Sequence, residues 1–549
     1  VSRESREEGE VMKRSRAGRG ALKLLVAASV CTAAGAAAGS DPDWQAQGRA
    51  AVARARDLAA DEVRARNVVL FVGDGMGVST VTAARILDGQ LRGEPGEENL
   101  LAFERLPHVA LAKTYNTNQQ VPDSAGTMTA LVTGAKTRAG VLSVSAEVPV
   151  GDHAAVAGRE LRTLFEEAEA KGLATGLVTT TTVTHATPAA CYAHSPDRDW
   201  ENDTLLPPAA RAAGFPDIAR QLVEFAAGDG LEVALGGGRV HFLPADTADP
   251  EYPDRKGARG DGRNLVDAWL ARAPGAAFAW SRAQLEAASA GSGPLLGLFE
   301  PSHMQWEAHR PRDRAGEPSL AEMTEVAIRR LSRQRRGFVL MVEGGRIDHG
   351  HHAGSAHLAL RDAVAFSEAV AAALRLLDLD DTLVVVTADH SHVFAIAGYP
   401  TRGNPILGLV AENDDRGDPA GELAHDLYGL PYTTLGYLNG PGHTAASDQQ
   451  PAGAKRFPHM PKRAEPGTAA RPDLAATDTA APGYLQESAI PLSSETHGGE
   501  DVPIYAGGPG AALFHGVQEQ SYVYHAIRAA LGWDAPADAP TPRWWEIWR

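Results

Sequence analysis

The stretch Asn67-Val68-Val69-Leu70-Phe71-Val72-Gly73, followed at once by Asp74, decides the fold. An apolar run with no polar alternation describes a strand buried on both faces, the habit of a parallel sheet covered by helices. Four further Val/Leu-rich runs, Ala174 to Thr180, Leu231 to Leu235, Phe338 to Val342 and Thr382 to Thr387, recur with helical stretches between them. This alternation predicts an α/β fold with a large central, mainly parallel sheet flanked by helices. In open α/β sheets ligands bind beyond the carboxyl ends of the strands. Asp74 follows the first run, His185 and Thr187 lie beyond the second, Glu343 follows the fourth, and Asp389 and His390 follow the fifth. One acid after a strand is ordinarily a helix cap or turn residue. Four strand ends that all carry Asp, Glu, His or Thr argue instead for a site on one edge of the sheet.

Working outward, composition narrows the chemistry. The 549 residues carry a net charge of −17, which argues against a nucleic-acid partner, because phosphate contacts need clustered Lys and Arg. With 44% hydrophobic and 22% charged residues the chain can bury a large core. Two cysteines exclude a thiolate zinc module, so any metal must be held by Asp, Glu and the 19 histidines. Residues 1 to 40 read as upstream residues and a signal peptide: from Met12 a basic region leads into an apolar run at Leu24 and the small residues Ala36 to Ala38. The expected location is therefore exported, periplasmic or extracellular. Cys31 stands where a lipid anchor would attach, although Val30 suits that processing poorly. Removing forty residues with seven basic and four acidic groups takes the charge to −20.

Residues 41 to 549 read as one catalytic domain. Its first part, 41 to 66, is Ala/Arg/Asp-rich and predicts a helix ahead of the sheet. Residues 394 to 491 are rich in Gly, Pro and Ala, with a low-complexity part from 451 to 482, and read as an inserted surface subdomain or long loop.

Glu343-Gly344-Gly345-Arg346-Ile347-Asp348-His349-Gly350-His351-His352 is the stretch richest in chemistry. If Asp348 onward is helical, Asp348 and His352 share a face and offer a carboxylate oxygen and an imidazole nitrogen to one metal. Asp389-His390 supplies adjacent ligand types, and His497-Gly498-Gly499-Glu500-Asp501 places a histidine in a glycine setting. Mixed O/N ligands suit Zn²⁺ in an open site, and carboxylates with a hydroxyl suit Mg²⁺. Ser124, in Val121-Pro122-Asp123-Ser124-Ala125-Gly126-Thr127, can open a helix whose N–H groups and dipole stabilise an anion. The competing reading of Ser124 is a plain N-cap. A serine needs a base or metal to become nucleophilic, and no Gly-x-Ser-x-Gly elbow surrounds it, so metal activation fits better.

These residues resemble the alkaline phosphatase family, the animal-type branch in particular. The resemblance runs through Phe71–Leu87, Val121–Ser124, Thr179–His194, Glu343–His352, Thr387–His390, Glu495–Asp501 and His515–Gln520. It implies an alkaline phosphatase-like fold with 394 to 491 as a crown-like subdomain, and a homodimer. It also implies two Zn²⁺, one held by Asp348, His352 and His497, the other by Asp74, Asp389 and His390. Asp74 would bridge to one Mg²⁺, also bound by Thr187 and Glu343, with His185 beside that site. Ser124 would be phosphorylated. Arg198 would clamp the phosphate with its two-pronged guanidinium, and His349 would face it. An additional Ca²⁺ is implied at Glu251, the backbone of Phe299, and Glu300. Its last ligand, an Asp before Pro-Ser-Leu in the family, falls on Glu317 here, after a two-residue insertion.

The implied reaction is hydrolysis of phosphate monoesters over a broad substrate range at alkaline pH, in two in-line displacements through a phosphoserine. A sulfatase would need a Cys or Ser in a Cys/Ser-x-Pro-x-Arg setting, which Ser124 lacks. A phosphodiesterase is the nearer rival, against which Arg198 and three metal sets favour a dianionic monoester. A phosphate- or metal-binding protein without turnover would have no use for a serine at the helix start.

Overall fold

The computed structural model describes residues 64–533. The strands follow one another as β1 (Asn67–Gly73), β2 (His108–Lys113), β3 (Ala174–Thr182), β4 (Val233–Gly237), β5 (Ala277–Ala279), β6 (Leu295–Leu298), β7 (Phe338–Glu343) and β8 (Thr382–Ala388). Then come β9 (Ser391–His392), β10 (Phe394–Ile396), β11 (Ala411–Asn413), β12 (Pro419–Leu423), β13 (Leu435–Gly440), β14 (Ser488–Pro491), β15 (His497–Gly498), β16 (Val502–Gly507) and β17 (Gly516–Glu519). Ten of them form one sheet in the order β17-β2-β16-β8-β1-β7-β3-β4-β6-β5. β16 runs antiparallel to both its neighbours and the other pairings are parallel.

The quoted stretch is the centre of this sheet. Val69 lies in register with Leu340 on one side and Val384 on the other, and every residue of β1, β7 and β8 is buried. Burial on both faces explains the unbroken apolar runs. Helices α1 (Val78–Leu91), α2 (Ser124–Thr133), α3 (Ala186–Ala189), α4 (Leu320–Leu331), α5 (Arg346–His352), α6 (Ala356–Leu376) and α7 (Tyr522–Ala530) supply the covering layers used below. On α6, Phe366 meets Phe71 of β1 edge to face at 5.9 Å. Truncating Phe71 to Ala would cost about 3–5 kcal/mol in so closed a core.

All five strands read from sequence are present, with ends that differ by a few residues. β4 begins at Val233 rather than Leu231 and runs on through Gly237. The strands that sequence reading passed over lie toward the edges, where the pattern is short or half polar. β5 has three residues, and β17 reads Gly-Val-Gln-Glu with partial exposure. Within 394–491 the chain forms two small sheets, β10-β13-β14 and β11-β12. The signal peptide, Cys31 and most of the helix expected over 41–66 fall outside the described residues. Among the described residues no helix is long and apolar enough to cross a membrane.

Candidate active site

The carboxyl ends of β1, β3, β7 and β8 deliver Asp74, Thr187 with His185, Glu343, and Asp389 with His390 to one place. Asp74 and Asp389 are fully buried, and His390 Nε2 lies 3.3 Å from Asp74 Oδ1 and 3.4 Å from Asp389 Oδ2. The turn after β1 permits this because Gly75 adopts φ +66° and its N–H donates to Asp389 Oδ1 at 3.0 Å. A Cβ there would meet His392 Nε2 at 2.2 Å, so only glycine fits.

α5 follows β7 directly and places Asp348 and His352 on one face. Three imidazole nitrogens surround Asp348 Oδ1: His392 Nε2 at 2.9 Å, His352 Nε2 at 3.2 Å and His497 Nε2 at 3.4 Å. His497 arrives because β15 pairs with β9, setting His497 opposite His392.

These groups fit cations. Asp74 Oδ1 and Oδ2, Glu343 Oε1, Thr187 Oγ1 and His185 Nδ1 are all buried with no hydrogen-bond partner. Buried carboxylates left so unpaired would cost several kcal/mol each without a cation. Burial, reinforced by Asp389, holds Asp74 well above the usual carboxylate range, and burial pushes Glu343 up to about 7. Asp348 is the exception: burial would raise it, but His352, His392 and His497 hold it well below its ordinary value.

Ser124 is the first residue of α2, and Asp123 rather than Ser124 is the N-cap, its Oδ1 accepting from the Gly126 N–H at 3.1 Å. The serine hydroxyl is therefore not spent on capping, and Ser124 Oγ sits 3.0 Å from His390 Nε2. Asp123 Oδ2 accepts from Arg198 Nη1 at 3.2 Å, so one carboxylate sets the register of both the serine helix and the guanidinium. Arg198 Nη2 donates to His185 Nε2 at 3.0 Å, and Arg346 Nη1 donates to His349 Nδ1 at 2.7 Å. The structure thus brings Ser124, Arg198, His185, His349 and the three ligand groups to one edge of the sheet.

A second cluster lies beyond β4 and β6. Glu251, Glu300 and Glu317 are buried, and Phe299 beside them is held by its N–H to Gly236 O. Glu251 pairs with Arg239 at 2.7 Å, Glu300 accepts from Tyr252 and Gln305, and Glu317 accepts from the Gln305 N–H. Burial pushes Glu300 up to about 7, with Glu251 and Asp313 adding to the effect. Both Asp313 carboxylate oxygens are buried without a partner.

Sequence reading missed several residues here. His392 and Glu495 were within reach, since Asp389-His390-Ser391-His392 repeats ligand types and Glu495 precedes His497 by two. His392 Nδ1 lies 2.6 Å from Glu495 Oε2, and Glu495 and Asp348 overcome burial to push His392 up to about 10. Asp313 and His303 carried no pattern, because each reaches its cluster through a loop.

A serine at a helix start facing buried carboxylates and imidazoles across the carboxyl edge of a mainly parallel sheet fits a metal-dependent hydrolase of the α/β class. The chain belongs to the alkaline phosphatase family: residues 65–533 match the model described as "Alkaline phosphatase". It is 47% identical over 473 residues to the tissue-nonspecific isozyme of alkaline phosphatase from Gallus gallus, covering 85% of this chain and 84% of that one. The Homo sapiens isozyme is 44% identical over 488 residues, covering 86% of each. Among solved structures, Thermus thermophilus alkaline phosphatase superposes with a TM-score of 0.60 at 26% identity, covering 90% of this chain and 96% of that one. Alkaline phosphatase from the Antarctic bacterium TAB5 shares the fold, with a TM-score of 0.55 at 20% identity over 86% of this chain and all of that one. The protein is a metal-dependent alkaline phosphatase that hydrolyses phosphate monoesters to an alcohol and inorganic phosphate.

Proposed function

We propose that hydrolysis proceeds through a phosphoserine at Ser124 and is fastest at alkaline pH. The observation that carries this reading is Ser124 Oγ, free of any capping role, 3.0 Å from His390 at the N-terminus of α2. In the first displacement Ser124 Oγ attacks phosphorus and the alcohol leaves in line; in the second, water attacks the phosphoserine and Ser124 departs with its proton restored. Backbone N–H groups of the first turn of α2 and the guanidinium of Arg198 offset charge on the equatorial oxygens. Asp123 keeps these two devices in register.

Asp348, His352 and His497 would hold one Zn²⁺, and Asp74, Asp389 and His390 a second. Asp74, Thr187 and Glu343 would hold Mg²⁺, with His185 beside it and His349 facing the phosphate. When bound, these ions lower the pKa of nucleophilic hydroxyl groups and offset charge on the attacking and leaving oxygens. Glu251, Phe299, Glu300 and Glu317 would hold Ca²⁺ away from the chemistry. The ligand types support this division, since the first two sets mix carboxylate with imidazole and the others are oxygen-rich.

The chain is read as exported by a signal peptide over residues 1 to 40, with 41 to 549 forming the catalytic domain. Residues 394 to 491 would form the crown of a homodimer, a reading supported by the exposed apolar side chains Leu427, Tyr428, Leu438 and Ile490 in that segment. The test is hydrolysis of p-nitrophenyl phosphate against its methyl diester from about pH 7 to 11, before and after chelation. Faster monoester turnover that rises with pH, is lost to chelator and returns with Zn²⁺ and Mg²⁺ together is expected. Preference for the diester, or activity indifferent to chelation, would overturn the reading.

A further inference from the structure

Three imidazoles meet beside the catalytic edge. His185 follows β3, His303 follows β6 and His349 lies on α5. Their ring centroids are separated by 4.4 Å (His303 to His349), 5.4 Å (His185 to His303) and 5.6 Å (His185 to His349). At these separations each ring is in packing contact with the other two. Two of the three are tied to guanidinium groups: His185 Nε2 accepts from Arg198 and His349 Nδ1 accepts from Arg346. Arg346 is itself fixed, its guanidinium lying 3.5 Å over the Trp306 ring and its backbone carbonyl accepting from Trp306 Nε1 at 3.2 Å.

His303 touches neither arginine through a hydrogen bond; it is anchored to the backbone instead. Its Nδ1 accepts from the Thr182 N–H at 3.1 Å, and the next residue, Met304, donates its N–H to Thr180 O at 3.0 Å. The loop after β6 is thereby fastened to the last residues of β3, and the ring is delivered against its two neighbours. An imidazole rotates between two broad, nearly equivalent wells about χ2, and only one presents the accepting nitrogen to the guanidinium. A third ring pinned to the backbone removes that freedom.

We infer that His303 is a positioning residue for phosphate binding, closing a three-imidazole wall that keeps His185 aimed at Arg198 and His349 aimed at Arg346. The inference rests on the reading of Arg198 as the phosphate clamp. An arginine that binds through a two-pronged geometry loses affinity when its plane tilts, even with its charge intact. His303 therefore acts on the strength of phosphate binding, through His185 and His349, and contributes nothing to the displacement itself.

The test uses the metal-replete enzyme, with metal content measured for each variant. His303→Asn keeps an acceptor for the Thr182 N–H and removes the ring; His303→Phe keeps a ring and loses the acceptor. The loss of one such ring contact corresponds to about a three- to tenfold change in affinity. His303→Asn is expected to raise KM for p-nitrophenyl phosphate and the inhibition constant of inorganic phosphate by that factor, with kcat altered less than about twofold. His303→Phe, whose ring is no longer pinned to the Thr182 N–H, is expected to recover part of the affinity that His303→Asn loses. In an Arg198→Lys background the His303→Asn penalty is expected to shrink to the share carried by His349, because residues acting through one another do not add. Additive penalties, a fall in kcat with KM unchanged, or a Phe variant as weak as the Asn variant would overturn the role. Arg198→Lys with unchanged phosphate inhibition would instead overturn the reading of Arg198. Weakened inhibition there, with wild-type behaviour of His303→Asn, would overturn the positioning role alone.

Discussion

Ser124 Oγ lies 3.0 Å from His390 Nε2, joining the start of α2 to the end of β8 across 266 residues of sequence. Neither residue approaches the other along the chain; the central sheet brings them together. The helix is fixed by its Asp123 cap and the histidine by a strand buried along its whole length, so the contact is made between two rigid elements. Rigid placement of the proposed nucleophile against its activating groups is where most of the rate enhancement in such a site would originate.

The His392 link to Asp348 and Glu495 should govern metal retention. His392 Nε2 stands 2.9 Å from Asp348 Oδ1 and its Nδ1 2.6 Å from Glu495 Oε2, so it is placed to orient the carboxylate proposed as a ligand. His392→Asn is expected to weaken metal affinity about 10–100-fold. Competition against a chromogenic chelator measures this, and a variant that holds zinc as tightly as the native chain would contradict it.

The cluster proposed to hold Ca²⁺ makes a sharper distinction. Asp313 has both carboxylate oxygens buried and unpartnered, whereas Glu317 already accepts from the Gln305 N–H. Asp313→Asn is therefore expected to reduce calcium affinity at least as strongly as Glu317→Gln, and to lower the calcium-dependent rise in melting temperature. Equilibrium dialysis with radioactive calcium decides the matter. Full binding by Asp313→Asn together with loss in Glu317→Gln would return the ligand to Glu317 alone.

Stability at alkaline pH should respond to Glu232, at the opposite end of the sheet from the catalytic edge. Burial, with Glu169 nearby, pushes Glu232 up to about 8 from an ordinary 4.5. A raised folded-state value means that the stabilising contribution is complete below about pH 4.5 and lost as pH rises through about 8. Glu232→Gln removes this dependence while keeping an acceptor for the Thr175 N–H. The variant is expected to match the native chain near pH 4 and to exceed it above pH 8, by on the order of 1–2 kcal/mol after allowance for solvent screening. Thermal unfolding across that range checks the sign, and a gap that closes with rising pH would contradict it.

The central strands were legible because burial on both faces leaves a signature that needs no partner to interpret, as in Val68 to Val72 and Leu383 to Val386. The convergence of Asp74, Glu343, Asp389 and His390 at their ends was legible for the same reason: a strand end fixes where the next side chain goes. What escaped sequence reading depends on pairing between distant segments. His392 faces His497 only because β9 pairs with β15, and Asp313 reaches Glu300 only through a loop. Asp123 carried no role in the sequence reading beyond standing next to Ser124, yet it caps α2 and its contact with Arg198, 75 residues away, gives it a second task that no local pattern reveals.

Trapping the covalent intermediate tests the central claim most directly. The metal-replete enzyme, quenched in acid during turnover of a ³²P-labelled monoester and mapped by mass spectrometry, is expected to carry one phosphoryl group per chain on Ser124. Ser124→Ala is expected to carry none, to lose at least about 10³-fold in kcat, and to keep nearly native metal content. A stable phosphoryl group on another residue, or on the Ser124→Ala enzyme, would contradict the account.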